Sequence, residues 1–400
     1  MSNLKTESIP FFSIVIPTRG RADLVKGLIW SILEQNYENF EIIVCDNSNN
    51  DETQEILNTF QDDRIIKIRT GGLGMSENYN VGIHAVTGKF LMCISDKGIL
   101  KQGALSYLHQ LIIQENYKCI TWALDNFVYP GHYFKTSISK ESKLLKSSDI
   151  LKFMLNSDYR SYEHAPMHCT SCVSMKLVRG IIKKHKNLCQ VQNPDYTMAA
   201  QILLATKNVY NLKDNLAILR NVSSKDGYGM GHSLAKKTQE SRIFLEDHAD
   251  WIEATNRFSD IPIKDCPFII DLMLKDTYTV LEDNQVDPNL YLSKEERLIS
   301  YYFFAFEEII WRTGHGVNMK PELKIWFEAF NKESHDIQKK INKRKKTLFF
   351  SNLKSLFKYL IKNTPITLSL LEKYRQIRYK NSGVNYIGIE ECFHDNVVEY

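Results

Sequence analysis

The 400-residue sequence contains no run of 18 or more apolar residues, so no segment reads as a membrane-spanning helix. Its opening, MSNLKTESIP, has no apolar stretch and reads as a polar lead-in rather than a secretion signal. The eight cysteines form no closely spaced framework and mostly have apolar neighbours, the pattern of free thiols in a reducing, cytoplasmic compartment. One pair, Cys169 and Cys172, has Cys-x-x-Cys spacing, but a zinc centre needs four ligands and only His168 and Cys189 lie near in sequence. Small buried thiols are the better reading. No internal repeat or low-complexity tract stands out.

Nor is there a uniform excess of one charge. The formal net charge of +4 conceals a stretch from Lys339 to Lys380 with 13 basic residues and one acid, Glu372, a local +12 that leaves −8 for the remainder. A uniformly basic surface would point to nucleic acid, whereas a basic tail on an acidic body points to local docking and excludes that partner. Within this tail Leu353, Leu356, Phe357, Leu360 and Ile361 fall on one side of a helix, flanked by Lys354, Lys358 and Lys362. Such a segment can lie on an anionic bilayer, each lysine near the surface adding about 1 kcal/mol. The alternative is a packed helix with a solvated charged face.

What the sequence does contain is a strand–helix alternation. FFSIVIP at 11–17 and EIIVCD at 41–46 are continuous apolar runs, the pattern of buried parallel strands. Between them, Arg21 to Asn36 reads as a helix with Leu24, Gly27, Leu28, Ser31 and Ile32 on one face. RIIKIRT at 64–70 and KFLMCIS at 89–95 add two strands, separated by a helix from Ser76 to Val86. The expected fold is α/β, a mixed and mainly parallel sheet flanked by helices, followed by a helical C-terminal region. Composition shifts near 230 and 339 divide the chain into an α/β domain at 1–230, a helical domain at 231–338 and a basic tail at 339–400.

The string FSIVIPTRGRADLVKGLIWSILEQNYENFEIIVCDNSNNDET and the later GGLGMSENYNVGIHAVTGKFLMCISDKGILKQGAL resemble the two signatures of family-2 glycosyltransferases with the GT-A fold. The resemblance is specific over 11–105 and extends in weaker form to about 230. It implies a transferase that moves a sugar from a nucleotide-diphosphate donor, UDP-linked in the first instance, to a glycan or lipid-linked acceptor. Inversion at the anomeric carbon and a place in surface polysaccharide synthesis, with peripheral contact at the inner face of the membrane, follow from it. By the same resemblance Pro17, Thr18 and Asp46 hold the base, a carboxylate being able to accept a pyrimidine imide N–H. Arg19 or Arg21 meets the diphosphate through forked hydrogen bonds. Asn78, in the helix after Gly71-Gly72-Leu73-Gly74, joins the donor site, although Glu77 stands where the family usually has arginine.

The metal motif departs most from the family. Where Asp-x-Asp is usual, this chain has Ser95-Asp96-Lys97. One carboxylate beside an ammonium is a poor site for Mg2+ or Mn2+, which need several hard oxygens. Three readings stay open: Asp96 holds a metal with help from the diphosphate, Lys97 replaces the metal, or the chain is a non-catalytic sugar-nucleotide- or glycan-binding subunit of a membrane-associated assembly. For the catalytic base the resemblance points to Asp195, in NPDYT at the start of a helix, where an N-cap is the competing role. His168 is a candidate acceptor contact, and Lys225 and His232, in and after SSKDGYGMG, are candidates for a loop closing over the donor. A nucleotidyltransferase would show a Gly-x-Gly-Thr-Arg-type loop after the first strand, which PTRGRAD lacks.

Overall fold

The computed structural model describes residues 11–128, 131–136, 140–158, 164–191, 193–221, 256–264, 268–314, 316–344, 384–385 and 389–398, with a few isolated positions between 237 and 253. The expected alternation opens the chain: β1 (Phe12–Thr18), α1 (Ala22–Leu33), β2 (Phe40–Asp46), α2 (Glu52–Asn58), β3 (Ile65–Arg69), α3 (Met75–Ala85) and β4 (Phe90–Cys93). After it come β5 (Gly98–Leu100), α4 (Ala104–Glu115), β6 (Cys119–Thr121), β7 (Leu124–Val128), β8 (His132–Phe134), β9 (Lys143–Lys146) and α5 (Ser147–Leu155). β10 (Ser171–Ser174), α6 (Met175–His185), α7 (Pro194–Ala205), β11 (Asn208–Asn211) and β12 (Ala217–Asn221) complete this region.

Eight strands form the main sheet in the order β3-β2-β1-β4-β10-β6-β11-β9. β1 pairs in parallel with β2 and β4, and β2 in parallel with β3, so the carboxyl ends of these strands open onto one edge. β1 and β2 are buried along their whole length, which is why they read as unbroken apolar runs instead of alternating ones. β10 lies antiparallel between β4 and β6 in the sheet interior. A second sheet carries β8, β7, β12 and β5 in spatial order, with β5 antiparallel to β12. The turn between β4 and β5 therefore joins the two sheets.

Two compact units are present, 1–150 with 162–226 and 385–400, and 151–161 with 227–384. The sequence reading placed the whole of 339–400 in one basic tail. Instead, a short helix, Ile389–Asp395, belongs to the first unit. Cys392 and Phe393 pack against Ile99, Phe127, Tyr133 and Ile218, and Phe393 meets Trp30 at 4.8 Å between ring centroids. Most of the basic segment, from 345 to 380, lies outside the described residues.

In the second unit α8 (Ile269–Asp283), α9 (Lys294–Gly314) and α10 (Lys320–Phe330) follow the expected helical pattern. Its core includes Tyr301, Tyr302, Phe304 and Trp326, all fully buried. The Glu308 carboxylate accepts the free N–H of Ile269 at the start of α8, meeting one of the donors a helix start leaves unpaired. No described helix is long and apolar enough to cross a membrane.

Candidate active site

The site grows from the ends of the parallel strands, where open α/β sheets bind ligands. Thr18, the last residue of β1, donates its hydroxyl to Asp96 Oδ2 at 2.8 Å. Arg21, at the start of α1, donates to Asp96 Oδ1 at 3.2 Å, and Ser95 Oγ reaches the same oxygen at 3.3 Å. Asp96 is buried while the Arg21 side chain is 28% exposed, so the guanidinium neutralises the carboxylate from the solvent side. Lys97 is also buried. Burial, with Arg21 adding to it and Asp96 opposing, lowers its pKa to about 8.

The Ser95–Gly98 turn that carries these groups is tight, with Gly98 N donating to Ser95 O at 2.7 Å. A Cβ on Gly98 would lie 2.7 Å from Ile94 and 3.1 Å from Ser95 O. Arg220 fixes the turn from below. Its buried guanidinium donates to Asp96 O at 2.6 Å, Leu24 O at 2.5 Å, Lys97 O at 3.2 Å and Gly98 O at 3.4 Å. Gly27 makes room for it, since a Cβ there would stand 2.6 Å from an Arg220 nitrogen.

At the end of β2, Asp46 is fully buried. Its oxygens accept from Ser48 N at 3.0 Å and Gln54 Nε2 at 2.7 Å. Asn78 is a scaffold amide, accepting from Thr70 Oγ1 at 2.6 Å and donating to Cys45 O at 3.1 Å. Gly71 and Gly72 take left-handed φ values of +45° and +75°, a conformation that suits glycine. Glu77 accepts the Gly74 N–H at 2.9 Å, so the acid found in place of the family's arginine caps its own helix. Pro17 is paired within the sheet and Arg19 is exposed.

Across the sheet edge, Asp195 sits in the first turn of α7 but makes no cap; the N-cap position is Asn193. The Asp195 carboxylate turns instead to His168, its Oδ1 meeting Nδ1. Burial pushes the His168 imidazole down to about 4, a shift that the charge of Asp96 opposes. The edge of Tyr79 packs on the ring at 6.0 Å between centroids. Lys225 and His232 lie outside the described residues.

Residues 13–172 match the family described as Glycosyl transferase family 2. They form a family-2 glycosyl transferase domain. A GalNAc(5)-diNAcBac-PP-undecaprenol beta-1,3-glucosyltransferase of Campylobacter jejuni is 34% identical to this chain over 106 residues, 26% of this chain and 34% of that protein. The Escherichia coli UDP-Glc:alpha-D-GlcNAc-diphosphoundecaprenol beta-1,3-glucosyltransferase WfaP is 34% identical over 80 residues, 20% of this chain and 32% of that protein. The matched region thus spans about a third of the length of these relatives. Among solved structures, S. aureus TarS 1-349 in complex with UDP-GlcNAc is 14% identical, with a TM-score of 0.45 over 84% of this chain and 92% of that one.

In this glycosyltransferase domain the positions of the usual Asp-x-Asp hold Ser95 and Lys97. The Asp96 carboxylate between them accepts from Thr18, Ser95 and Arg21. Among the described residues no group of three His, Cys, Asp or Glu is placed to hold a metal ion. A divalent cation needs several hard oxygens, and two protein cations beside one engaged carboxylate do not supply them. The seven described cysteines are free and buried; burial raises the Cys169 thiol to about 12 and pushes Cys172 well up, so both are inert. Cys169 serves as a weak acceptor for Ser95 N at 3.0 Å.

Sequence reasoning missed Arg220, Gln54 and the partnership of His168 with Asp195. Gly27, placed among apolar positions of α1 with no side chain to bury, was the signal for Arg220. The others had no local signal, because their partners come from other elements.

Proposed function

We propose that this chain transfers a sugar from a nucleotide-diphosphate donor, UDP-linked in the first instance, to a glycan or lipid-linked acceptor, with inversion, in surface polysaccharide synthesis. The observation that carries the reading is the cluster of Arg21, Lys97 and Asp96 at the carboxyl ends of β1 and β4, inside a family-2 domain. Arg21 and Lys97 set two cations beside one carboxylate where the leaving diphosphate gains negative charge. Preorganised charge of this kind stabilises a transition state without reorganisation at the moment of reaction. Arg21 and Lys97 thus stand in for the divalent cation that an Asp-x-Asp pair would bring.

Base recognition uses the Pro17–Asp46 end of the site. For a base to reach Asp46, the Gln54 amide must leave Oδ2. The acceptor hydroxyl meets Asp195 and His168 on the opposite side of the sugar, as inversion requires. The Asp195 carboxylate, which meets His168, accepts the proton, directly or through its neighbour. The basic stretch of the tail holds the enzyme on the anionic inner face of the membrane, bringing a lipid-linked acceptor within reach.

Calorimetric titration with UDP, GDP and dTDP, each with Mn2+ and with chelator, tests the donor site. UDP is expected to bind equally well in both conditions. Absence of binding to every nucleotide overturns the donor-site reading, and binding that requires Mn2+ overturns the assignment of Arg21 and Lys97.

A further inference from the structure

We infer that His168 and Asp195 act as one proton-accepting pair, in which His168 Nε2 takes the acceptor hydroxyl's proton and Asp195 is its positioning residue. The inference rests on the glycosyl-transfer reading and reverses the roles expected from sequence, where Asp195 alone is the base.

The geometry assigns the parts. His168 Nδ1 and Asp195 Oδ1 meet each other. Both atoms are buried, and their contact is an ion-pair approach, with no hydrogen bond to either atom among the described residues. The side chains are nevertheless 26% and 28% exposed. Nδ1 is buried against the carboxylate, so the exposed part of the side chain lies away from that nitrogen, and the inference gives the substrate-facing role to Nε2. Tyr79 holds the ring plane from the side. A carboxylate that accepts Nδ1–H fixes the tautomer and leaves the Nε2 lone pair to the substrate.

Chemistry favours this division of labour. Burial keeps the imidazole neutral at physiological pH, the form a base requires. Among the described residues, Asp195 meets the ring, Asp96 acts on it through its charge and Tyr79 packs against it. Both carboxylates stabilise the imidazolium once it forms. A second observation marks a polar ligand beside the pair. Asn193, 7% exposed, keeps its Nδ2 buried without a partner among the described residues, and Gln190 Oε1 is in the same condition. Buried polar groups are nearly always paired, so these two await the hydroxyls of an acceptor.

The acceptor O–H proton moves to Nε2 while the oxygen forms a bond to the anomeric carbon. The bond from that carbon to the diphosphate oxygen breaks, and its electron pair leaves with the nucleoside diphosphate. The imidazolium then returns its proton to water.

The test measures UDP release from UDP-glucose and UDP-GlcNAc by the full chain, with water as the acceptor. His168→Asn keeps an amide N–H for Asp195 but has no Nε2, and is expected to lower kcat by about 100-fold or more, the range of general-base catalysis. Asp195→Asn is expected to lower kcat less, and the double variant no further than His168→Asn, with the donor KM nearly unchanged in all three. In His168→Gly, free imidazole in the buffer should restore part of the rate, which a purely structural histidine would not allow. Near-normal turnover in His168→Asn, with loss in Asp195→Asn, overturns the inference and leaves Asp195 as the base. If His168→Asn fails to bind UDP, the imidazole rescue decides, and its absence counts against the pair. If the wild-type chain neither binds nor cleaves any nucleotide sugar, the transferase reading itself falls, and the inference with it.

Discussion

Replacing Gly27 with alanine should change the sign of its effect according to what stands at position 220. In α1 an alanine is intrinsically favoured over glycine by about 1 kcal/mol. The added methyl would stand 2.6 Å from an Arg220 nitrogen, and that guanidinium cannot easily retreat because four carbonyls from Leu24 to Gly98 hold it. Overpacking of this kind costs about 1–3 kcal/mol, so Gly27→Ala alone should destabilise by about 1 kcal/mol net. Arg220→Met alone should cost about 3 kcal/mol, since it strands buried acceptors. On that background Gly27→Ala loses its clash and should become stabilising by about 0.5–1 kcal/mol. Arg220→Lys, which keeps one cation for the same carbonyls, should fall between. Urea midpoints give the cycle, and amide exchange in the peptides carrying Leu24–Gly27 and Asp96–Gly98 shows whether the change is local. Equal effects of Gly27→Ala on both backgrounds would refute the claim that Arg220 ties the Asp96–Lys97 turn to α1.

Three further outcomes are expected. Lys97, with its pKa lowered to about 8, is less protonated in the folded than in the unfolded chain between about pH 8 and 10.4. Stability of the free protein should therefore rise with pH across that window, while UDP affinity falls above pH 8; at pH 8, calorimetry in two buffers of different ionisation enthalpy should show net proton uptake on UDP binding, and zero uptake would contradict the assignment. Phe393→Ala empties a fully buried site against Trp30 and the second sheet, a change that typically costs about 3–5 kcal/mol; an unmoved urea midpoint would show that the C-terminal helix adds nothing to the first unit. Vesicles with anionic lipid should sediment the full chain at low salt and release it as salt rises, whereas a chain with the lysines and arginines of 339–380 changed to glutamine should stay in solution; equal sedimentation of both would remove the membrane role of the tail.

The parts of the fold that were legible in the sequence share one physical property: their signal is local. β1 and β2 are buried on both faces, so every residue had to be apolar or paired, and the runs FSIVIPT and FEIIVCD announce it. The interior position of β10 was not legible. Its four residues carry no trace of which strands flank them, since β4 and β6 are brought to its sides by intervening helices. The same limit applies to the site. Asp46 and Asn78 were singled out by motif, and their polar atoms are held by Gln54, Thr70 and Cys45 O, partners that only the folded loops supply.

The charges around the Ser95–Lys97 turn show what a motif alone leaves out. Counted along the chain, Ser95-Asp96-Lys97 is a metal motif that has lost its acids. Folded, the same turn receives Arg21 from α1 and Thr18 from β1, while Arg220 grips its backbone from β12. Arg21 and Lys97 then stand with Asp96, so the turn gathers two cations around one carboxylate although its motif reads as deficient. Had Asp96 been only the remnant of a metal site, burial would make an isolated carboxylate costly unless it were paired. Its three donors show that it is paired by construction, which turns a missing motif into a different arrangement of charge. Lys97→Asp should therefore not simply restore a metal site: with Arg21 still on Asp96, two carboxylates and a guanidinium would compete, and Mn2+-dependent UDP binding should require Arg21→Gln as well. Mn2+ dependence in the single variant would show that Asp96 is free to ligate, against the geometry described above.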